Sequence, residues 1–287
     1  MASELTVKSL FNREDVQLKF KELLGKRAPS FITSVLQIVS QNTMLSKAEP
    51  SSIYQSAAVA ATLDLPLNNN LGFAYIVPYN QRQADGTYKQ VAQFQMGYKG
   101  FIQLAQRSGQ FKELDSKPVY EGQYVEDESM KGFHFEWKNK KSDTIIGFVA
   151  WFKLLNGYEA MYFMTVDQLK KHGAKYSKTF SNKSGLWNND FEAMAGKTVI
   201  KLLLSKFAPL SIEMQRAVIS DQALINDAET LDITYIDNEE EKIDKEQERI
   251  VLMIEDAKTI NELKSIQKHI GAEQQELFNQ KMQELNA

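Results

Sequence analysis

The stretch DFEAMAGKTVIKLLLSKF, from Asp190 to Phe207, carries Gly-Lys-Thr near its centre. If that tripeptide closed a phosphate-binding loop, the chain would be a nucleotide-binding α/β protein. If it lies inside a helix, the lysines serve something else. The loop requires G-x-x-x-x-G-K-[ST] between a strand and a helix. Five positions before Gly196 stands Phe191, and the preceding SGLWNNDFEAM has no strand character. Without a glycine-rich turn, no set of backbone N–H groups converges on a phosphate. The periodicity instead predicts an amphipathic helix over 187–207, stopped by Pro209. At 100° per residue, Lys197 and Lys201 share one face. Phe191, Ala195, Val199, Leu202 and Leu203 lie around the other side as a core face, and Lys206 falls away from the first two lysines. The expectation is a helix with a wet, charged back.

Working outward, YKGFIQLAQRSG predicts a second, shorter helix. It carries Lys99, Gln103 and Arg107 at every fourth residue, and Phe101, Leu104 and Ala105 point elsewhere. Before it, FAYIVPY and YKQVAQFQM flank the turn signal QADG, which predicts a hairpin from about Phe73 to Met96. The hairpin is rich in amides: Gln81, Gln83, Gln90, Gln93 and Gln95. LPLNNNLG ahead of it reads as a turn. VLQIVSQN and SSIYQSAAVAATLDL read as helices, the latter starting at Pro50-Ser51-Ser52. From Pro118 to Thr165 the pattern is β, with Asn156-Gly157 as a hairpin turn. VDQLKKHGAKYSK begins as helix and runs into the polar loop YSKTFSNKSG. The domain expectation is a core over 1–220, an acidic solvated linker over 221–248 and a helical module over 249–287.

The chain has no cysteine, so disulfides, thiolate zinc sites and a cysteine nucleophile are excluded. Its three histidines, His134, His172 and His269, have no ligand-like spacing, and no metal or other cofactor is expected. There is no apolar run of about 18 residues and no basic-then-apolar leader pattern, which suits a cytosolic protein. The net charge of −3 hides an asymmetry. Residues 237–287 carry −6 and the remainder +3, with nine basic against three acidic residues between Lys170 and Arg216. Two helices with basic stripes, an amide-rich hairpin and interspersed Tyr75, Tyr79, Tyr98, Tyr176 and Trp187 are the ingredients of a groove that tracks single-stranded nucleic acid. For Trp187, base stacking and core packing compete.

At these same segments the sequence resembles the RecT family of phage single-strand annealing proteins. The resemblance rests on LPLNNNLGFAYIVPYN, AQFQMGYKGFIQLAQRSGQ and LWNNDFEAMAGKTVIKLLLSKFAPLS, in the family's order, and covers about Ser51 to Met214 best. It implies an α+β core, a bent antiparallel β-sheet with hairpins packed by helices, followed by a small helical C-terminal module. It implies a non-enzyme that binds single-stranded DNA and anneals complementary strands through a duplex intermediate without ATP. It further implies homo-oligomeric rings or helical filaments, a phage 5′-to-3′ exonuclease partner, a host single-stranded-DNA-binding protein docked by the C-terminal module, and the cytoplasm of a bacterial host. A DNA-contact role carries over to Lys99, Arg107, Lys197 and Lys201 at motif positions, with Gln103 on the same stripe. Lys112, Lys178, Lys183, Lys206 and Arg216 are further candidates. Asn68, Gln93, Gln95, Tyr98 and Trp187 lie within the motifs, with DNA contact, subunit contact and fold all open. Competing readings are a passive single-strand protector, a structural self-assembling protein and a metal-dependent nuclease; the last lacks a recognisable carboxylate cluster.

Overall fold

A computed structural model describes residues 6–83, 87–129, 132–177, 180 and 185–234, together with 253–254, 278–279 and 281–282. The chain divides into two compact units, Met1–Ile236 and Asp237–Ala287. In the second unit the few described residues are helical, with Ile254 and Phe278 buried. The rest of the expected helical module and residues 84–86 of the QADG turn lie outside the described residues.

The first unit is α+β, with small antiparallel sheets packed by helices. It opens with helices α1 (Val7–Phe11), α2 (Glu14–Leu24) and α3 (Ala28–Gln41). They close around the rings of Phe11, Phe20, Phe31 and Tyr54, whose neighbouring centroids lie 5.6–6.4 Å apart. Helix α4 (Pro50–Thr62) starts at its proline, as the sequence predicts, because a proline at the first turn forfeits no helical N–H bond. Strands β1 (Ala74–Arg82) and β2 (Tyr88–Met96) form the predicted hairpin, in register from Ala74↔Met96 to Arg82↔Tyr88. Helix α5 (Tyr98–Arg107) follows at once.

The β region comprises β3 (Phe111–Tyr120), a short hairpin of β4 (Tyr124–Glu126) and β5 (Phe133–Phe135), then β6 (Ile145–Leu154) and β7 (Glu159–Thr165). The three long strands pair in the order β3-β6-β7. Gly157, at φ +89°, turns the chain between β6 and β7 next to Asn156, as expected. The β4–β5 hairpin gathers Tyr124, Phe133 and Phe135 against Phe163 of β7.

Helix α6 (Val166–Tyr176) begins at a reciprocal cap between Thr165 and Gln168. The short α7 (Leu186–Asn189) leads into α8 (Phe191–Phe207), where the Asp190 side chain caps the helix by accepting from Ala193 N–H. Gly196, Lys197 and Thr198 lie inside α8, and the Thr198 hydroxyl donates to the Met194 carbonyl one turn back, 2.8 Å away. The tripeptide is therefore helical, as its context predicts. Ala195, Val199 and Leu203 face the core as expected, but Ile200, Thr198 and Lys197 are buried too. The helix is central and its back is not wet. The cause lies in the segment after α9 (Ile212–Ser220).

That segment was expected to be a solvated linker from residue 221. Instead it adds β8 (Leu224–Asp227) and β9 (Asp232–Thr234), a small hairpin with Ala223, Leu224 and Ile225 buried. Its placement follows from the hydrogen-bond needs of β2. One edge of β2 pairs with β1, and the other must find partners because it is covered. Glu49 N–H donates to Gln90 O at 2.9 Å. The Ser52 hydroxyl accepts from Ala92 N–H at 2.8 Å, and that of Ser56 donates to Ala92 O. Gln222 N–H donates to Phe94 O at 3.1 Å, and the Asp221 carboxylate accepts from Met96 N–H at 2.9 Å. Helix α4 satisfies the first half of this edge and residues 221–223 the second. An acidic composition concealed a strand-like closure.

Candidate nucleic-acid interface

Two hollows meet on the first unit. A cavity of about 690 Å³ opens between the start of α5, strands β2 and β3, and the first turns of α8. Its walls include Tyr75, Gln95, Gly97, Tyr98, Lys99 and Lys197. A shallower groove runs along the polar face of α5, bordered by Phe73, Lys99, Gln103 and Arg107. Lys99 borders both, so the α5 stripe leads into the cavity.

Backbone proximity builds the cavity's α5 wall. A Cβ on Gly97 would sit 2.0 Å from the Gly72 carbonyl oxygen, and one on Gly100 2.2 Å from that of Phe73. Only glycine permits that approach. It draws the N-terminus of α5 onto the turn before β1, where the Asn68 side chain accepts from Asn70 N–H at 2.9 Å. On the opposite wall, Gly196 brings α8 against β3, where an added Cβ would lie 3.1 Å from the Ser116 hydroxyl. Asp190 and Glu192 stand at the start of α8, where the helix dipole favours carboxylates. The Lys117 ammonium belongs to the other face of the sheet, 3.3 Å from the centroid of the Trp137 ring.

Lys197 and Lys201 do not project from a charged surface. The Lys197 ammonium lies 2.9 Å from Asp221 Oδ1 and the Lys201 ammonium 2.8 Å from Oδ2. The side chain of Asp221 is fully covered, that of Lys197 is 8% exposed and that of Lys201 26%. Burial pushes the Asp221 carboxyl up, yet the two ammonium groups outweigh it and hold it below the usual carboxylate range. Lys197 is pulled below the usual lysine range, first by burial and then by Lys201, against the attraction of Asp221. The expectation that these lysines lie open on a helix face is therefore corrected. The helix period was right, but a carboxylate more than 20 residues away turns the polar face inward.

The other candidates divide. Lys99 is exposed and makes no ion pair among the described residues. Arg107 lines the groove, but its guanidinium also donates to the carbonyls of Leu63 (2.5 Å) and Asp64 (3.3 Å), closing the end of α4. The carbonyl oxygen of the Gln103 side chain is covered and finds no partner among the described residues. Gln95 donates to Gln93, which is buried and donates in turn to the Gln222 carbonyl. Trp187 is 5% exposed and packs against Phe180 and Phe191, so core packing explains its position. Arg216 is engaged with the Ala228 carbonyl. Lys112 and Lys206 are exposed away from the cavity lining, and Lys178 and Lys183 lie outside the described residues. Asp221 escaped the sequence reading because nothing local marks it: it stands in a polar stretch that reads as linker.

His172 on α6 completes the surroundings of Lys201. Its imidazole is held down to about 4, first by burial and then by the charges of Lys201 and Lys175. An ordinary histidine takes up a proton near 6.5 when the chain unfolds. The folded state thus resists protonation, and the stability this neutral ring contributes is complete above about pH 6.5 and lost as pH falls toward about 4. The denaturation midpoint of the wild-type protein is expected to fall more steeply across that window than that of His172→Gln. Parallel profiles would refute this assignment.

The chain matches the family model described as the RecT family over residues 29–246. The chain belongs to the RecT family. It is 42% identical to an uncharacterized protein, YqaK, of Bacillus subtilis (strain 168) over 242 residues, 84% of this chain and 80% of that relative. It is 29% identical to Protein RecT of Escherichia coli (strain K12) over 242 residues, 81% of this chain and 87% of that protein. Membership in the RecT family places the chain among the single-strand annealing recombinases of DNA recombination. The three motif stretches of the family resemblance build the hollows: the first supplies the turn and β1, the second β2 and α5, and the third α7 and α8. No helix among the described residues is long and apolar enough to cross a membrane.

Proposed function

We propose that this chain binds single-stranded DNA along α5 and into the cavity, and speeds the pairing of complementary strands without ATP. The observation that carries the reading is the position of Lys99, shared by the α5 groove and the cavity. Residues four apart on a helix rise about 6 Å, so Arg107, Gln103 and Lys99 form a polar ladder leading to Tyr98 at the cavity mouth. Cationic and amide groups on such a path hold phosphates without reading sequence, and Tyr75 and Tyr98 offer ring faces to bases. A strand held by its backbone leaves its base edges free to test a second strand. Correct pairing releases about 1.4 kcal/mol per base-pair step, so the reaction needs neither nucleophile nor fuel. Homo-oligomeric rings or filaments would join these paths from subunit to subunit. A 5′-to-3′ exonuclease would supply the single strand, and the C-terminal unit would dock the host single-stranded-DNA-binding protein.

The test is the rate at which two complementary dye-labelled oligonucleotides pair with the protein present and nucleotide triphosphates absent. Acceleration over the bare strands is expected. Tight single-strand binding with no acceleration would overturn annealing in favour of a passive protector. For Lys99→Gln, one phosphate contact fewer should flatten the plot of log affinity against log salt by about 0.7. An unchanged slope would remove Lys99 from the path.

A further inference from the structure

The ion cluster that reaches the cavity wall through Lys197 has a charge imbalance: two ammonium groups, on Lys197 and Lys201, face one buried carboxylate, on Asp221. We propose that Asp221 is the positioning residue of the strand-binding site, holding Lys197 charged at the cavity wall and pairing Lys201 behind it, while leaving one positive charge uncompensated for a phosphate of the bound strand. This role rests on the strand-binding reading above and assigns its charge to a specific group.

Four observations support it. First, Lys197 lines the cavity although it is 7% exposed, so its charge is enclosed by protein and not spread into water. A buried ammonium with no counter-charge gives up its proton instead. Second, Asp221 is the group that prevents this, since burial and Lys201 both act against the charge on Lys197 and Asp221 acts for it. Third, both oxygens of the carboxylate are occupied, one by each lysine, and Oδ1 also accepts the N–H of Met96. Met96 is followed directly by Gly97, Tyr98 and Lys99, which form the facing wall. One buried carboxylate thus ties the lysines of α8 to the start of α5 and fixes Lys197 relative to Lys99. Fourth, one carboxylate cannot neutralise two ammonium groups, and an entering phosphate would supply the missing negative charge.

The other groups around the cluster do not cancel the imbalance. His172, from α6, is neutral above its low pKa. Asp190 and Glu192 belong to the first turn of α8, and Asp190 is engaged in capping it. Burial pushes the Tyr75 phenol above the usual tyrosine range, so it brings no negative charge. Asp115 and Lys117 also border the cavity, on either side of Ser116; their opposite charges offset each other, and the Lys117 ammonium is held over the Trp137 ring. Lys99 adds a positive charge across the cavity.

The experiment is the affinity of the full chain for a labelled single-stranded oligodeoxyadenylate as a function of pH, for the wild type, Asp221→Asn and Lys197→Met. Asparagine keeps the shape and an acceptor for Met96 N–H but loses the charge. The wild type is expected to lose less than about threefold in affinity between about pH 7 and about pH 9, and Asp221→Asn about tenfold or more, as Lys197 discharges. Lys197→Met should bind more weakly than the wild type at neutral pH and show no such fall, and combining it with Asp221→Asn should abolish the fall seen in Asp221→Asn alone. Parallel profiles for wild type and Asp221→Asn would overturn the role of Asp221, since a merely structural loss lowers affinity equally at every pH. Should Asp221→Asn fail to fold, Lys197→Met decides alone: neutral-pH binding equal to the wild type overturns the proposal. Absence of oligonucleotide binding by the wild type itself would instead overturn the strand-binding reading, and this role with it.

Discussion

Asp221→Ala is expected to destabilise the first unit by about 3–5 kcal/mol, the usual cost of removing one partner from a buried ion pair. Two losses combine. The ammonium of Lys197 is left enclosed with no counter-charge, and the covered N–H of Met96 loses its acceptor. For a unit of this size about 2–4 °C of melting temperature accompanies each kcal/mol, so a fall of roughly 10 °C should be seen by calorimetry. The mechanism makes a second demand. Adding Lys197→Met should recover part of the loss, because it removes the stranded charge and fills the space with an apolar side chain of similar length. An Asp221→Ala protein within about 1 kcal/mol of wild type would mean that water reaches the cluster and that the segment after α9 is held by its apolar contacts alone. The alanine variant reads stability and the asparagine variant reads charge, so the two experiments separate what Asp221 does for the fold from what it does for a bound strand.

Gly100→Ala is expected to cost about 3 kcal/mol, the upper end of the range for overpacking. On an exposed helix the same change would stabilise by about 1 kcal/mol through helix propensity. Here the new Cβ would meet the Phe73 carbonyl oxygen at 2.2 Å and the Met96 Cε at 2.9 Å. Backbone cannot swing aside as a side chain can, so α5 must lift from the turn before β1. That movement carries Tyr98 and Lys99 with it, and single-strand affinity should fall alongside stability. Gly196→Ala is the contrasting case. Its Cβ would meet only the Ser116 hydroxyl, at 3.1 Å, which can rotate away. It should be near neutral in urea denaturation. Equal stability of Gly100→Ala and the wild type would show that α5 is not seated by backbone contact and that the cavity has another origin.

Much of this protein is legible in one dimension. The hairpin of β1 and β2 shows itself through alternation, the turn at Asn156-Gly157 through its residues, and α5 through a stripe at every fourth position. The rejection of a phosphate-binding loop at Gly196-Lys197-Thr198 needed only the missing glycine at position 191. These features are set by local sterics and by the period of the apolar residues, which a linear reading can measure. Membership in the RecT family is legible for the same reason, since its motif stretches are contiguous.

Tertiary structure decided what the side chains of those elements do. Periodicity says that Lys197 and Lys201 share a face but not what covers it. The cover comes from residues 221–223, which the unsatisfied edge of β2 recruits from a stretch with the composition of a linker. Local reading assigns Arg107 to a basic stripe, whereas the carbonyls at the end of α4, more than 40 residues earlier, claim its guanidinium. For Trp187 the local sequence fits stacking and packing equally, and it is the rings of Phe180 and Phe191 that enclose it. By itself the sequence determined which segments are helix or strand and where the positive charge resides along the chain. Which charges are buried, paired or free depends on contacts between residues distant in sequence. Those contacts follow from burial and the hydrogen bonding that burial demands, and neither leaves a period in the sequence.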